Sequence, residues 1–186
     1  LCSANNVKTI FLMNAFLHES DLNTVKAFIN EIKDFTFSAI MISDPGMLLL
    51  LQEEGISIPL HLSTQVSTLN HKAVNFWHNQ GINRIVLGRE VTLNEIKVIK
   101  EYSDCEIEVF IHGAVCISYS GRCLLSRYMT GRDANQGDCA HPCRWNYALM
   151  EQKRPGNYLD ISETENGTEI LSSKDLCYIE KVEELI

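Results

Sequence analysis

Five times in the first 112 residues, a short apolar run gives way to a stretch with helical spacing, each round taking 22–26 residues. Val7–Met13 reads as a strand, and Asp21–Asp34 places Leu22, Val25, Phe28, Ile29 and Ile32 along one helical face. Phe37–Ile42 is a second strand, stopped by Asp44, Pro45 and Gly46; Pro45 then opens a helix that Gly55 ends. Ile58–Leu62, a helix over Asn70–Gln80, Asn83–Leu87, a helix capped by Thr92 with Glu95 three residues on, and Ile107–Ile111 complete the series. Alternating strands and helices of this kind dictate a parallel sheet with helical crossovers. The regular repeat suits a TIM-like (β/α)8 barrel; the rival is a doubly wound sheet, but no strand is followed by a glycine-rich phosphate loop. Five units do not close eight strands, so the expectation is an open sheet or an incomplete barrel.

In parallel folds, ligands are met where strands end. The polar residues there are Asn14, Ser43, Asp44, His61, Ser63, Gln65, Arg89, Glu90 and His112. Ser43, Asp44 and Thr92 read as helix caps. Arg89, Glu108 and His112 are the catalytic candidates, and His61 and Gln65 are candidate substrate contacts.

After Gly113 the periodicity stops, and residues 114–144 show no clear helix or strand. A loop of that length is uncommon unless it is functional or held by something. It contains Cys116, Cys123, Cys139 and Cys143, separated by six, fifteen and three residues. Four thiolates on one loop can hold a single metal centre. Structural zinc prefers two close pairs, and only Cys139/Cys143 is close, so zinc is disfavoured. An iron–sulfur cluster tolerates wider spacing because each thiolate binds a different iron. Cys2, Cys105 and Cys177 read as packing residues, with Cys177 a reserve ligand. Downstream, Arg144–Met150 is expected as a strand, Asn157–Leu171 as a hairpin turning at Glu165, Asn166 and Gly167, and Lys174–Leu185 as a helix. The expected divisions are 1–112, a partial barrel; 113–159, a cysteine-rich cluster-binding segment inserted after the last strand; and 160–186, a hairpin and helix returning to the barrel.

The net charge is −8, which argues against nucleic-acid binding over the whole surface. The charge is uneven. Residues 113–159 hold six basic and three acidic side chains, net +3, while residues 1–112 are net −5 and residues 160–186 net −6. A basic island beside the cysteines suits an anion, with Arg122, Arg132 and Arg144 as candidate phosphate or dicarboxylate partners. Tyr119, Tyr128 and Trp145 could stack on a base. The longest apolar run, Met47–Leu51, is too short to cross a bilayer, and no leader pattern is visible. Clustered thiols fit a reducing compartment, so a cytoplasmic location is expected.

Glu108, Val109, Phe110, Ile111, His112, Gly113, Ala114, Val115 and Cys116, followed by Ser120, Gly121, Arg122, Cys123, Leu124, Leu125 and Ser126, closely resemble the signature of the collagenase-like peptidase U-32 family. Gly131–Gly137, Cys139, Pro142–Trp145, Ser43–Gly46, His61–Gln65 and Ser173–Leu176 extend the resemblance over nearly the whole chain. The joint presence of Cys139 and Cys143-Arg144-Trp145 is most similar to the TrhP-type branch, which forms 5-hydroxyuridine at the tRNA wobble position. The resemblance implies a [4Fe–4S] cluster with Cys116, Cys123, Cys139 and Cys143 as ligands, tRNA as partner and prephenate as co-substrate. It implies a barrel that begins two strands before Val7 and closes with one strand after Ile186, so that this chain carries strands three to seven. A sister branch hydroxylates ribosomal RNA; in the ubiquinone branch a later cysteine replaces the one at Cys143. A peptidase remains the alternative, although the chain has neither His-Glu-x-x-His nor Gly-x-Ser-x-Gly, and only His112 with Cys116 could form a thiol–imidazole pair. A zinc-stabilised binding module without catalysis is the third reading.

Overall fold

Long aliphatic side chains in uninterrupted runs set the strands, and a cap or glycine sets each helix end. The computed structural model describes residues 2–113, 116, 118–145, 147, 149–150, 152–156, 158–159, 162–164, 167–169 and 176–185. The chain divides into two compact units, Leu1–Val109 and Phe110–Ile186.

In the first unit, β1 (Ile10–Met13), β2 (Ala39–Ile42), β3 (Leu60–Leu62), β4 (Ile82–Val86) and β5 (Glu106–Glu108) form one parallel sheet in the order of the chain. The order never reverses, whereas a doubly wound sheet has a switch point where it must. The helices α1 (Leu22–Ile32), α2 (Pro45–Glu53), α3 (His71–Asn79) and α4 (Leu93–Glu101) provide the crossovers. Ile29 and Ile32 of α1, Met47, Leu48 and Leu51 of α2, Val74 of α3 and Ile96 and Ile99 of α4 are buried, as are Ile40, Ile42, Leu62, Ile82 and Ile85 of the strands. Each such side chain contributes about 1.5–3 kcal/mol on leaving water. Asp44 caps α2 as expected: its Oδ1 accepts from the Gly46 and Met47 amides at 2.6 and 3.4 Å, and its Oδ2 from the Leu17 amide at 3.0 Å. The Thr92/Glu95 capping box forms on α4. Gly55 follows α2 at φ +69°, a conformation that costs a residue with a Cβ.

The register of β3 on β4 is irregular. Leu60 pairs with Ile82, but His61 pairs with Arg84, so Asn83 is one residue in excess. The Asn83 side chain fills the gap by accepting the Leu60 amide at 2.9 Å. Register partners share a face, and so do residues two apart on a strand. Leu60, Leu62, Ile82 and Ile85 therefore share the helix-covered face, all buried. Leu12, Met41, His61, Arg84 and Glu106 form one row on the other face, which is open enough to leave Leu12 60% exposed.

In the second unit, β6 (His112–Gly113) pairs antiparallel with β11 (Leu176–Cys177), and the Tyr178 amide donates to the Ile111 carbonyl. Between them lie α5 (Leu125–Thr130), β7 (Leu149–Met150) paired with β8 (Tyr158–Leu159), and β9 (Ser162–Thr164) paired with β10 (Gly167–Glu169). The expected hairpin thus forms between β9 and β10, while its turn residues Glu165 and Asn166 lie outside the described residues. Four expectations are corrected. The cysteine segment contains a helix, α5. Arg144 belongs to a 3-10 turn, Pro142–Arg144, and among the described residues of the expected strand Leu149–Met150 forms a β-strand. Over Lys174–Leu185, Lys174 and Asp175 lie outside the described residues, Leu176–Cys177 is a strand, and Ile179–Glu184 is 3-10 rather than α-helical, because pairing with β6 draws the start of the segment into extended backbone. Cys2 and Cys177 are exposed rather than packed; Cys105 alone of the three is buried.

Candidate functional site

The second unit holds the four cysteines of the central segment. All seven cysteines of the chain are free thiols. Cys116 is exposed, and Cys123, Cys139 and Cys143 are half-buried. The local fold is a chain of tight turns: Tyr119–Gly121, Ala134–Gln136 and Pro142–Arg144 are 3-10, and Ser120 and His141 take left-handed φ values of 47° and 53°. Such turns point amides inward. The Leu125 amide donates to Cys123 Sγ at 3.3 Å and the His141 amide to Cys139 Sγ at 3.4 Å. The helix α5 braces them. Fully buried Ser126 accepts the Ala140 amide on its Oγ at 3.0 Å, beside Cys139, and the Asn135 side chain donates to the Cys123 carbonyl at 3.1 Å. Burial pushes the Cys143 thiol up; charge on Cys116, Cys123 and Cys139 pushes it the same way, against Arg144. All three other sulfurs thus act on Cys143. Among the described residues, no three Cys, His, Asp or Glu side chains are gathered closely enough to hold a single metal ion. Four sulfur donors on one segment are the ligand type that an iron–sulfur cluster takes, one thiolate at each iron.

The arginines of this unit differ. Arg132 is tied to Asp138, whose Oδ1 accepts from both Nε and Nη2 at 2.7 Å, and Arg127 Nη1 lies 3.4 Å from Asp133. An anion at Arg132 must displace Asp138. Arg122 and Arg144 are both exposed. Tyr119, Tyr128 and Trp145 are exposed too, and Trp145 stacks on Tyr147 with centroids 6.4 Å apart. His112 is exposed on β6 opposite Cys177.

The first unit holds the other candidates. His61 lies within β3 rather than at its end. Gln65 Oε1 accepts from the buried Ser43 hydroxyl at 3.3 Å. Arg89 is half-buried in the turn after β4, and Glu108 closes β5. On the open face, the sheet brings Glu108 together with two residues that sequence reasoning missed. Arg84 Nη2 binds Glu106 Oε1 at 2.5 Å, and its Nη1 lies 3.6 Å from Glu108 Oε2. The hydrogen bond to Arg84 holds the Glu106 carboxyl below its usual range. Next to Arg84, His61 is 7% exposed; burial lowers its pKa, Arg84 adds to that, and Glu108 and Glu106 oppose it. The signal available in the sequence was the charged alternation Glu106-Ile107-Glu108, facing a strand with one internal arginine.

The sequence model of peptidase family U32 matches residues 1–186. The chain belongs to peptidase family U32. Among curated U32 relatives, it is 35% identical to "tRNA hydroxylation protein P" of Escherichia coli K12, over 96% of this chain and 48% of the relative. It is 40% identical to "tRNA hydroxylation protein P1" of Bacillus subtilis 168, over 93% of this chain and 41% of the relative. It is 36% identical to the "23S rRNA 5-hydroxycytidine C2501 synthase" of E. coli K12, over 78% of this chain and 22% of that one. The chain thus spans about half or less of the length of these U32 relatives. A solved structure, that of the U32 peptidase Mk0906, superposes with a TM-score of 0.50 at 13% identity, over 62% of this chain and 50% of that one; that likeness concerns the fold.

Proposed function

We propose that this chain is part of a cytoplasmic RNA-hydroxylating U32 enzyme that acts on tRNA wobble uridine, and that Cys116, Cys123, Cys139 and Cys143 hold a [4Fe–4S] cluster. The observation that carries the reading is the quartet itself. Its four thiols form no disulfide, two of them accept backbone amides, and all four lie on one segment of 28 residues. Bound there, the cluster would supply one-electron redox chemistry. The identities above support RNA over other substrates, and the exposed arginines and aromatics of the second unit are suited to phosphate and base. Arg122, Arg132 and Arg144 are the proposed partners for phosphate or for the carboxylates of prephenate as co-substrate, and an anion at Arg132 would take the place of Asp138. The five strands, in chain order, are an arc of a (β/α)8 barrel in this reading.

The test is purification of the full-length protein without oxygen, with iron and sulfide analysis, alongside mass spectrometry of tRNA from a deletion strain. Brown protein with about four irons per chain and loss of wobble hydroxylation is the expected result. Colourless protein containing zinc, or unchanged tRNA, overturns the corresponding half. The family's description keeps peptidase activity as the second reading. Metal-free protein that cleaves casein, and stops when Cys116 or His112 is replaced, would establish it.

A further inference from the structure

Two buried polar atoms on neighbouring residues of the open face of the first unit have no hydrogen-bond partner among the described residues: Nδ1 of His61 and Nε of Arg84. Their residues are register partners on adjacent strands. Neither atom is left over from a loosely placed side chain. His61 is more than nine-tenths buried, and Arg84 is clamped through its two other nitrogens by Glu106 and Glu108. Burying such groups unpaired costs free energy, so the pair is built for something that reaches them.

The charge count narrows what that is. One guanidinium faces two carboxylates, Lys8 also acts on Glu106, and burial lowers the imidazole pKa, so the group offers no net positive charge to a phosphate or a carboxylate. Arg84 Nε can only donate. His61 Nδ1 accepts in one neutral tautomer and donates in the other. A carbonyl beside a ring nitrogen satisfies both atoms, and the O2–N3 edge of a pyrimidine, the base class of the proposed RNA substrate, presents that pair. Uracil presents N3–H to the accepting tautomer, and cytosine presents bare N3 to the donating one.

We propose that His61 and Arg84, held by Glu106 and Glu108, form a site for the carbonyl–nitrogen edge of an unstacked pyrimidine base. The site deepens the RNA reading and rests on it. Phosphate recognition belongs elsewhere, because this group offers no net positive charge.

The test is binding of the full-length protein to an anticodon stem-loop RNA carrying either the wobble uridine or an abasic sugar at that position. The base should strengthen binding about tenfold. In Arg84→Met, Arg84→Lys and His61→Phe the two RNAs should bind within about twofold of each other, with the abasic RNA bound as well as by wild type. Arg84→Lys keeps a cation between the two carboxylates, so it guards against a variant that merely misfolds. The proposal is overturned if wild type does not distinguish the two RNAs, as a site filled only by water would predict. It is also overturned if the base advantage survives in the variants, or if both RNAs weaken equally in them. RNA binding by wild type with no base effect would remove this site alone; absence of any RNA binding would remove the parent reading as well.

Discussion

Ser126→Ala is the most direct probe of how the cysteine segment is held. The change removes one oxygen and creates no cavity. The Thr130 hydroxyl bonds the Ser126 main-chain carbonyl, at 2.7 Å, and is untouched. What disappears is the acceptor of the Ala140 amide, 3.0 Å away and 14 residues along the chain, next to Cys139. Ser126 is fully buried, so water cannot replace its hydroxyl without rearrangement. An unpaired buried amide costs about 1–3 kcal/mol, or roughly 5- to 150-fold in the local folding equilibrium. The assay is urea unfolding of anaerobically purified protein, followed by visible absorption for the proposed cluster and by far-UV circular dichroism for the helices. The visible transition should move to lower urea, and iron should be lost faster in air, while the part of the dichroism signal carried by α1–α4 changes little. An unchanged visible midpoint with unchanged iron retention would refute the idea that α5 braces the Cys139 loop.

Asp44→Ala should destabilise the first unit by about 1–3 kcal/mol, since it removes both the cap of α2 and the acceptor for Leu17; urea unfolding checks this. Glu106→Gln should cost less than about 1 kcal/mol at neutral pH, because its carboxylate is mostly exposed. The folded pKa of Glu106 is lowered, so its contribution is present above the unfolded value of 4.5 and fades as pH falls through the folded value; the variant should flatten that part of an acid titration. His61, also lowered, contributes fully above its ordinary 6.5 and less as pH falls through its folded value, so His61→Gln should reduce the loss of stability just below pH 6.5, read by thermal unfolding across pH.

The first unit was legible because its local signals agree. Apolar runs are punctuated by Asp44-Pro45, Asn70 and Thr92, each of which caps its helix in the structure. The boundary of β5 was not: Val109–Ile111 is as apolar as a strand, yet the sheet ends at Glu108, whose carbonyl accepts the Leu87 amide. In the second unit local signals are weak. The six residues of α5 include exposed Tyr128 and begin without a side-chain cap, so neither periodicity nor capping announces them. Leu176–Cys177 is extended because of β6, more than sixty residues earlier, and no local window can see that partner. The four cysteines stood out by spacing alone, whereas Arg84 and Glu106 acquire meaning only when β4 and β5 lie side by side.

Asn83 decides which way the guanidinium looks. Were β4 to run against β3 in unbroken step, Asn83 would lie opposite His61, and Arg84 would swing beneath the helices beside Leu62, a charge sealed among hydrocarbons. One surplus amino acid, with an amide head that occupies the vacancy its own presence opens, turns a liability of the interior into a tool of the opposite side. The same device lets the rest of the strand keep its greasy side chains where they belong, so the polar row could change its chemistry over time without asking the core to repack.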